Sequence, residues 1–388
     1  MKLKCQPEDF VVTERLSVTP TSGPFAMYRL RKTNIGTVEA IQHVRRTWNL
    51  SANHVAHAGL KDRHAVTCQT ITIRNGPQSD FSAERLDLDY LGQTTEPVAA
   101  RHIECNEFQI VVRDLSDAAA AEIMEHAAAS RSVVFPNYFD QQRFGSLGHS
   151  GEFVAVSWCR RDYERATWLA LADANPHDRS AEKAQKAILR DNWGHWDVCK
   201  ERLERSHRRS IVTYLVDHPT GFRKAFALIN PDLRGLYLSA FQSAVWNRML
   251  GQLVTNTDTN LSVIRIGDAD LPFGGMDSAD TDQQMESLPL VSVRNRNVPA
   301  VVEDLATDAI NYYGMTRREM KVSFPRDRFF SKANRSCWLK PDCLNADAND
   351  DDLYDGKKKV TLSFELPPGS YATMVIKGLT DIDPELNS

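Results

Sequence analysis

The sequence predicts an α+β protein in which a largely antiparallel sheet domain is interrupted by an α-rich insertion. The first 160 residues alternate strand patterns of period two with helical patterns, whereas residues 160–254 are mostly helical. Strand character returns only at 359–366. Because one short strand cannot fold alone, it must pair with the first sheet. We therefore expect a discontinuous domain of residues 1–160 and 326–388, with residues 161–325 as the inserted domain.

The amino-terminal elements follow from the alternation of apolar and polar side chains. Strand patterns lie at residues 10–14, 25–32, 67–74 and 107–113. Thr37 is a plausible N-cap for a helix with one apolar stripe. The stripe residues are Val38, Ile41, Val44 and Trp48. Ser116 opens an Ala-rich helix that extends to about Ser130. Short loops between such strands favour an antiparallel sheet backed by helices.

From about residue 160 the predicted elements are helices, until strand character returns after the acidic segment. Predicted helices lie at residues 163–174, 180–191, 197–216, 235–254 and 301–313. Candidate core positions in the fourth of these are Leu236, Ala240, Val245 and Leu250. Six Asp residues between Asp342 and Asp355 predict a solvated loop before the last strand.

Composition limits the class of protein. The 388 residues are 42% apolar and 25% charged, as in globular proteins. No run approaches the roughly 20 apolar residues of a membrane span, and residues 1–10 are too polar for a secretory signal. Seven cysteines without a CxxC pair argue against a zinc ribbon and against a full disulfide framework. We expect reduced thiols and a cytoplasmic protein.

The distribution of charge is more informative than the net charge of −4. Residues 1–75 hold eleven Lys or Arg against five acids, and residues 200–250 hold nine against four. Acidic stretches at 267–287 and 342–355 offset them. Because salt confines electrostatic attraction to about 8 Å, such a chain can present a basic face to a polyanion. The alternative is that these charges only keep the surface soluble.

The segment around Asp62 places a carboxylate between two cations, Lys61 and Arg63, after a glycine turn. Nearby positive charge favours an ionised carboxylate, which suits a nucleophile or a base. In an extended backbone the two cations point away from Asp62 and could grip phosphates. The alternative is a solvent-facing turn with alternating charge.

A second segment, residues 136–145, interleaves aromatic, amide and guanidinium side chains. Asn137, Phe139 and Arg143 are of the types that stack on a base and hydrogen-bond its Watson–Crick edge. Packing of Phe139 and its aromatic neighbours in a core is an equally physical interpretation.

A third segment, residues 364–374, ends a strand in a Pro-Pro-Gly turn, and Tyr371 follows directly. Such a tyrosine could fill the core, stack on a ligand or move a proton.

His54, His57, Asp62 and His64 raise the possibility of a metal site. Their spacing matches no strong template, and no cysteine pair accompanies them. The chain also lacks the glycine-rich signatures of nucleotide binding and the GxSxG signature of serine hydrolases. We predict neither a metal nor a cofactor. A metal-dependent hydrolase is the least favoured of the three candidate functions that the sequence suggests.

Five segments taken together resemble the TruD family of tRNA pseudouridine synthases. They are Lys4 with residues 7–14, then residues 59–67, 137–145, 237–244 and 366–373. They occur in the order of the family, which is far more specific than any single match. The resemblance implies the pseudouridine synthase fold, interrupted by the family's insertion domain. It also implies the isomerisation of uridine to pseudouridine in tRNA, typically at uridine 13 of the D arm.

The resemblance also assigns roles to individual residues. The catalytic aspartate of the family falls on Asp62, and Lys4 takes the place of its basic partner. The substrate-contact positions fall on Phe10, Asn137 and Tyr371. The stacking aromatic falls on Phe139, with Arg143 in the same motif. We expect a monomer that acts on tRNA without a membrane, a protein partner or a cofactor.

This sequence departs from the family pattern at three places. Asp140 replaces a small residue, usually glycine, and adds a negative charge beside a turn expected to face RNA. Tyr371 stands where bacterial members often have Phe, and residues 160–230 match poorly. The alternative function is a non-catalytic RNA-binding or RNA-chaperone protein on the same fold.

Overall fold

A computed structural model of the protein describes residues 1–130, 133–256, 261–277 and 285–380. The chain forms two compact units. Unit 1 comprises Met1–Phe135, Gly275–Ser278 and Leu339–Ser388, and unit 2 comprises Pro136–Gly274 and Ala279–Trp338. Mixed helices and strands around a large sheet confirm the predicted α+β class.

The regular elements of the described residues are as follows. The strands are β1 Phe10–Leu16, β2 Phe25–Thr33, β3 Val55–His57, β4 Val66–Arg74, β5 Phe81–Ala83, β6 Leu86–Thr94, β7 Ile103–Leu115, β8 Val133–Pro136, β9 Ser262–Ile266, β10 Ala269–Phe273, β11 Met276–Asp277, β12 Ser287–Pro289, β13 Asn334–Ser336, β14 Trp338–Leu339, β15 Asp342–Asp350 and β16 Lys358–Leu366. The helices are α1 Thr37–Thr47, α2 Asp117–Ala129, α3 Val154–Cys159, α4 Tyr163–Leu171, α5 Ser180–Asp191, α6 Trp196–Arg202, α7 His207–Asp217, α8 Phe222–Leu228, α9 Pro231–Thr255, α10 Ala300–Asn311 and α11 Ala372–Thr380.

A nine-stranded sheet dominates the described part of unit 1. Its order is β15-β16-β7-β1-β4-β2-β6-β5, with β3 beside β4. Every pair is antiparallel except β1 with β4, where Val11 lies opposite Val66 in a parallel register. The carboxyl-terminal strand β16 pairs with β7, with Leu362 opposite Ile110. This pairing confirms that the last strand completes the amino-terminal sheet.

One face of β2 carries the core of the sheet. Ala26, Tyr28 and Leu30 are fully buried and pack with Ile71 of β4 and Val44 of α1. The start of α1 differs from the prediction: Gly36 is the N-cap and Thr37 is the first helical residue. The Thr37 hydroxyl is unavailable for capping because it donates to Gln69 Oε1 and accepts from the Lys61 amide.

The acidic segment predicted as a loop is instead largely strand β15, at the edge of the sheet. It pairs with β16, with Asp347 opposite Thr361. An edge strand is hydrogen-bonded on one side only, so its side chains need not be apolar, and exposed acids discourage pairing with another chain. For this reason the acidic composition of the segment predicted a loop although the segment forms a strand.

Helices α3 to α10 make up most of unit 2. Residues 136–160 belong to this unit, since α3 packs against α9 there. Apart from residues 275–278, which belong to unit 1, unit 2 extends from residue 136 to residue 338, whereas the sequence suggested 161–325.

Two sequence-based details of unit 2 are wrong. The helix expected at 197–216 is two helices, α6 and α7, because the Ser206 hydroxyl caps a new helix by accepting from the Arg209 amide. Leu236 is 56% exposed, although the other three candidate core residues of α9 are buried. Leu236 lies in the second turn of the helix, on the side that faces solvent. Within the described ranges, none of the helices is long and apolar enough to cross a membrane.

Candidate active site

Asp62 lies in the loop between β3 and β4, and its side chain is about one-third exposed. The Lys4 ammonium donates to Asp62 Oδ2 over 3.0 Å and is also about one-third exposed. The same ammonium lies 4.1 Å from the centroid of the Phe10 ring, which is buried. The structure thus brings together three predicted site residues. The result is a partly exposed carboxylate paired with an ammonium group.

Hydrogen bonds from three elements hold the loop that carries Asp62. Gln69 Nε2 of β4 donates to the Gly59 carbonyl over 2.9 Å, and Thr37 Oγ1 of α1 accepts from the Lys61 amide over 3.0 Å. The Lys61 ammonium donates to Asn106 Oδ1 of β7 over 2.6 Å. The loop is therefore positioned by contacts with the elements around it, namely α1, β4 and β7.

The two cations that flank Asp62 do not have the orientation expected from an extended backbone. Lys61 is nearly buried, and its ammonium lies 2.8 Å from a carboxylate oxygen of the buried Glu14. Arg63 is paired with Glu39 at the surface. The expectation that Lys61 grips a phosphate is wrong, because its charge is neutralised inside unit 1.

The histidines near Asp62 have partners of their own. His57 Nδ1 lies 3.1 Å from the Gly59 carbonyl, and His64 Nδ1 lies 3.1 Å from Asn34 Oδ1. Within residues 1–130, 133–256, 261–277 and 285–380, no group of three or more His, Cys, Asp or Glu has the arrangement of a metal site.

Tyr371 follows the turn that ends β16. Gly369 has a φ of +83°, a conformation that favours glycine, and Tyr371 comes directly before α11. The tyrosine is half-buried, and its carbonyl accepts from the Met374 amide.

In unit 2, the side chains of Asn137 and Phe139 pack around Arg335. The Arg335 guanidinium lies 4.1 Å from the centroid of the Phe139 ring and donates to Asn137 Oδ1 over 2.8 Å. Asn137 Nδ2 donates to the Ser336 carbonyl over 3.0 Å. The Arg143 guanidinium lies 5.2 Å from the Phe139 ring centroid. Asn137 and Phe139 are both buried in this arrangement.

The backbone of Phe139 is fixed by Asn247 of α9. Asn247 Oδ1 accepts from the Phe139 amide over 2.8 Å, and Asn247 Nδ2 donates to the Phe139 carbonyl over 2.9 Å. Sequence reasoning missed Asn247 and Arg335. The signal for Asn247 was an amide among the apolar residues of a long helix, whereas no local pattern indicates Arg335.

The Asp140 departure has a structural explanation. Asp140 is buried, and its carboxylate accepts from the Gln141 amide at the start of a short 3₁₀ helix, Gln141–Phe144. Its φ of −85° is ordinary for any residue. No glycine is needed here, and the carboxylate caps the turn.

Comparison with known proteins gives consistent results. Residues 1–270 match the family model described as tRNA pseudouridine synthase D (TruD). A Methanococcus maripaludis protein named "Probable tRNA pseudouridine synthase D 1" is 26% identical, over 98% of this chain and 100% of its own length. The tRNA pseudouridine synthase D of Leptospira interrogans serovar copenhageni is 27% identical, over 97% of this chain and 95% of its own.

A solved structure shares the fold. The crystal structure of the Methanosarcina mazei protein assigned to TruD superposes with a TM-score of 0.73, over 99% of this chain and 94% of that one. The sequence identity is 21%, so this likeness concerns the fold alone.

Proposed function

Because this chain belongs to the TruD family of tRNA pseudouridine synthases, we propose that it isomerises uridine to pseudouridine in tRNA, at uridine 13 of the D arm, with Asp62 as the catalytic carboxylate. The observation that carries this proposal is the accessible Asp62 carboxylate, held 3.0 Å from the Lys4 ammonium. The enzyme is an isomerase whose relatives are named for this activity.

The reaction needs one ionised carboxylate near the sugar. The target uridine is first flipped out of the stacked RNA, at a cost of a few kcal/mol. The bond between N1 and C1′ then breaks, a bond between C5 and C1′ forms, and the C5 proton leaves as N1 gains one. Asp62 either attacks C1′ as a nucleophile or removes the C2′ proton to give a glycal. Nothing is oxidised or hydrolysed, so we propose that neither metal nor cofactor takes part.

In unit 1, we assign supporting roles to Lys4, Phe10 and Tyr371. The proposed role of the Lys4 ammonium is to orient the Asp62 carboxylate, and that of the Phe10 ring is to stabilise this ammonium by a cation–π contact at 4.1 Å. Tyr371 is proposed as an aromatic contact to the substrate.

In unit 2, the proposed substrate contacts are Asn137, Phe139 and Arg143. Arg335 and Ser336 bind the Asn137 carboxamide, and we propose that its remaining N–H contacts a base edge. The Phe139 ring contacts the guanidinium groups of Arg335 and Arg143, so we propose that it orients these cations toward RNA as well as stacking.

We propose that the protein acts on tRNA in the cytoplasm as a monomer. In the direct test, the purified protein is incubated with tRNA that carries 5-³H-uridine, with and without a chelator, and the tritium released is measured. We expect release in both conditions, and pseudouridine mapping should place the product at uridine 13. A non-catalytic RNA chaperone would bind tRNA and release no tritium, and a metal-dependent hydrolase would stop when the chelator is added.

The basic cluster of unit 2 separates into two pairs of arginines. Arg202 and Arg205 are exposed, and among the described residues neither side chain forms a hydrogen bond or an ion pair. Arg208 is paired with Glu182, and Arg209 Nε donates to the Lys200 carbonyl over 2.8 Å. The first pair is therefore available to phosphates, and the second supports the helices.

Replacing Arg202 and Arg205 by Gln should weaken tRNA binding rather than chemistry. Each lost phosphate contact flattens the plot of log affinity against log salt by about 0.7–0.9. Single-turnover rate at saturating tRNA should hardly change. The matched control replaces Arg208 and Arg209 by Gln, which should lower Tm and change the salt slope less. If log affinity against log salt has the same slope in wild type and in the variant with Arg202 and Arg205 replaced by Gln, these arginines contribute only to solubility.

A further inference from the structure

Lys32 is a buried cation at the end of β2. Its side chain lies on the same face as Ala26, Tyr28 and Leu30, and all four residues have 0% exposure. The Lys32 ammonium donates to the main-chain carbonyl of Asp62 over 2.6 Å. In the described part of the chain, this is its only hydrogen bond, and no carboxylate lies within ion-pair distance of it.

The strands beside Lys32 do not compensate its charge. The residue opposite it on β4 is Thr67, whose buried hydroxyl has no hydrogen-bond partner among the described residues. The residue opposite it on β6 is Leu86. Burying an ammonium without a carboxylate is costly, and an apolar side chain of similar size often fills such a position as well or better. Fold stability therefore does not account for a lysine here.

The single partner of Lys32 is the residue proposed to carry out the chemistry. Other anchors of the loop bind residues on either side of Asp62: Gly59 and Lys61 before it, and Arg63 and His64 after it. Among the described residues, only Lys32 has a hydrogen bond to the main chain of Asp62 itself. A hydrogen bond from a charged donor is stronger than one from a neutral donor, so it restrains the backbone from which the carboxylate extends.

We propose that Lys32 is a positioning residue for the reaction: its buried ammonium holds the Asp62 main-chain carbonyl and so directs the Asp62 carboxylate toward Lys4 and the substrate. The inference rests on the proposed function, because it takes Asp62 as the catalytic carboxylate.

The charge on Lys32 depends on pH in the range where the enzyme can be assayed. Burial lowers the pKa of the Lys32 ammonium from 10.5 to about 8. The Asp62 charge opposes this shift, whereas Arg63 and Lys61 add to it. As pH rises through about 8, Lys32 loses its proton and its hydrogen bond to Asp62 weakens, so turnover should fall.

Stability should change in the opposite direction over the same window. The folded pKa lies below the unfolded value, so the unfolded chain binds more protons between about pH 8 and 10.5. The contribution of Lys32 to the free energy of unfolding therefore rises with pH there. If Lys32 served only the fold, the turnover of the enzyme would not fall over a pH range in which the free energy of unfolding rises.

The experiment compares wild type with Lys32→Met and Lys32→Gln under single-turnover conditions at saturating tRNA. At pH 7 we expect Lys32→Met to react about tenfold more slowly or worse, with Tm no lower than wild type. In a separate steady-state titration of tRNA, KM should stay within about twofold of wild type. Lys32→Gln keeps a neutral donor, so it should recover part of the rate. The loss of turnover near pH 8 should be absent from both variants.

Lys61→Met is the contrast for stability, since it leaves Glu14 buried without its cation and should lower Tm. The proposal is overturned if Lys32→Met keeps its rate within about twofold, or if Tm and rate fall together. It is also overturned if the alkaline loss of turnover persists in Lys32→Gln, a measurement that does not require Lys32→Met to fold. An inactive wild type would instead refute the proposed function, so the two failures are distinguishable.

Discussion

Replacing Asp62 by Asn is expected to lower single-turnover isomerisation below about 1% of wild type, while the Kd for tRNA changes by less than about threefold. The amide keeps the shape of the side chain but lacks the carboxylate oxygen that we propose attacks C1′ or removes a proton. Because Asp62 is only one of several groups that we propose contact RNA, binding should survive. Tritium release and a filter-binding titration measure the two quantities on the same preparation.

Asp114→Asn is the matched control for this change. Asp114 also faces a lysine, with Lys2 Nζ 3.9 Å away, and its φ of +57° suits asparagine. Its turnover should equal that of wild type. Turnover above about 1% in Asp62→Asn would remove Asp62 from the chemical step and leave the fold assignment intact.

Replacing Lys4 by Met should slow isomerisation by about 30–150-fold. Lys4 donates a charge-assisted hydrogen bond to Asp62, and such bonds contribute about 2–3 kcal/mol when one partner is removed. The unbranched Met side chain preserves the packing over the Phe10 ring, so the effect isolates the charge. The measurement is the single-turnover rate at saturating tRNA.

Lys2→Met supplies the control two residues earlier in the chain. The Lys2 ammonium also lies over an aromatic ring, 4.3 Å from the Tyr354 centroid, and near Asp114, yet it does not contact Asp62. Adding Lys4→Met to Asp62→Asn should cause no further loss, because the two residues act as one unit. Independent losses in the double variant would contradict a role for Lys4 through Asp62.

Elements with a distinctive local pattern were predicted well. The alternation of residues 25–32 predicts β2 from side chains that are neighbours in the chain. The Ser116 cap similarly predicts the start of α2. Five ordered motifs were enough to indicate the family and its fold, and the Lys4–Asp62 pair followed from the resemblance.

Elements without a distinctive local pattern were not predicted. The edge strand β15 has the composition of a loop, because only one of its sides is hydrogen-bonded and few of its side chains enter the core. The break between α6 and α7 depends on one hydroxyl at Ser206, which competes with continuation of the helix.

The orientation of polar side chains around Asp62 was decided only by the tertiary structure. Sequence alone indicated the family, the sheet strands β1, β2, β4, β7 and β16, and the identity of the candidate carboxylate. It did not determine that Lys61 turns inward to Glu14, or that Lys32, although it continues the apolar face of β2, binds the Asp62 carbonyl. These partners lie far apart in the chain and meet only when β1, β2 and β4 pair. A buried charge must find its partner wherever the assembled sheet places one, and local periodicity carries no information about that position.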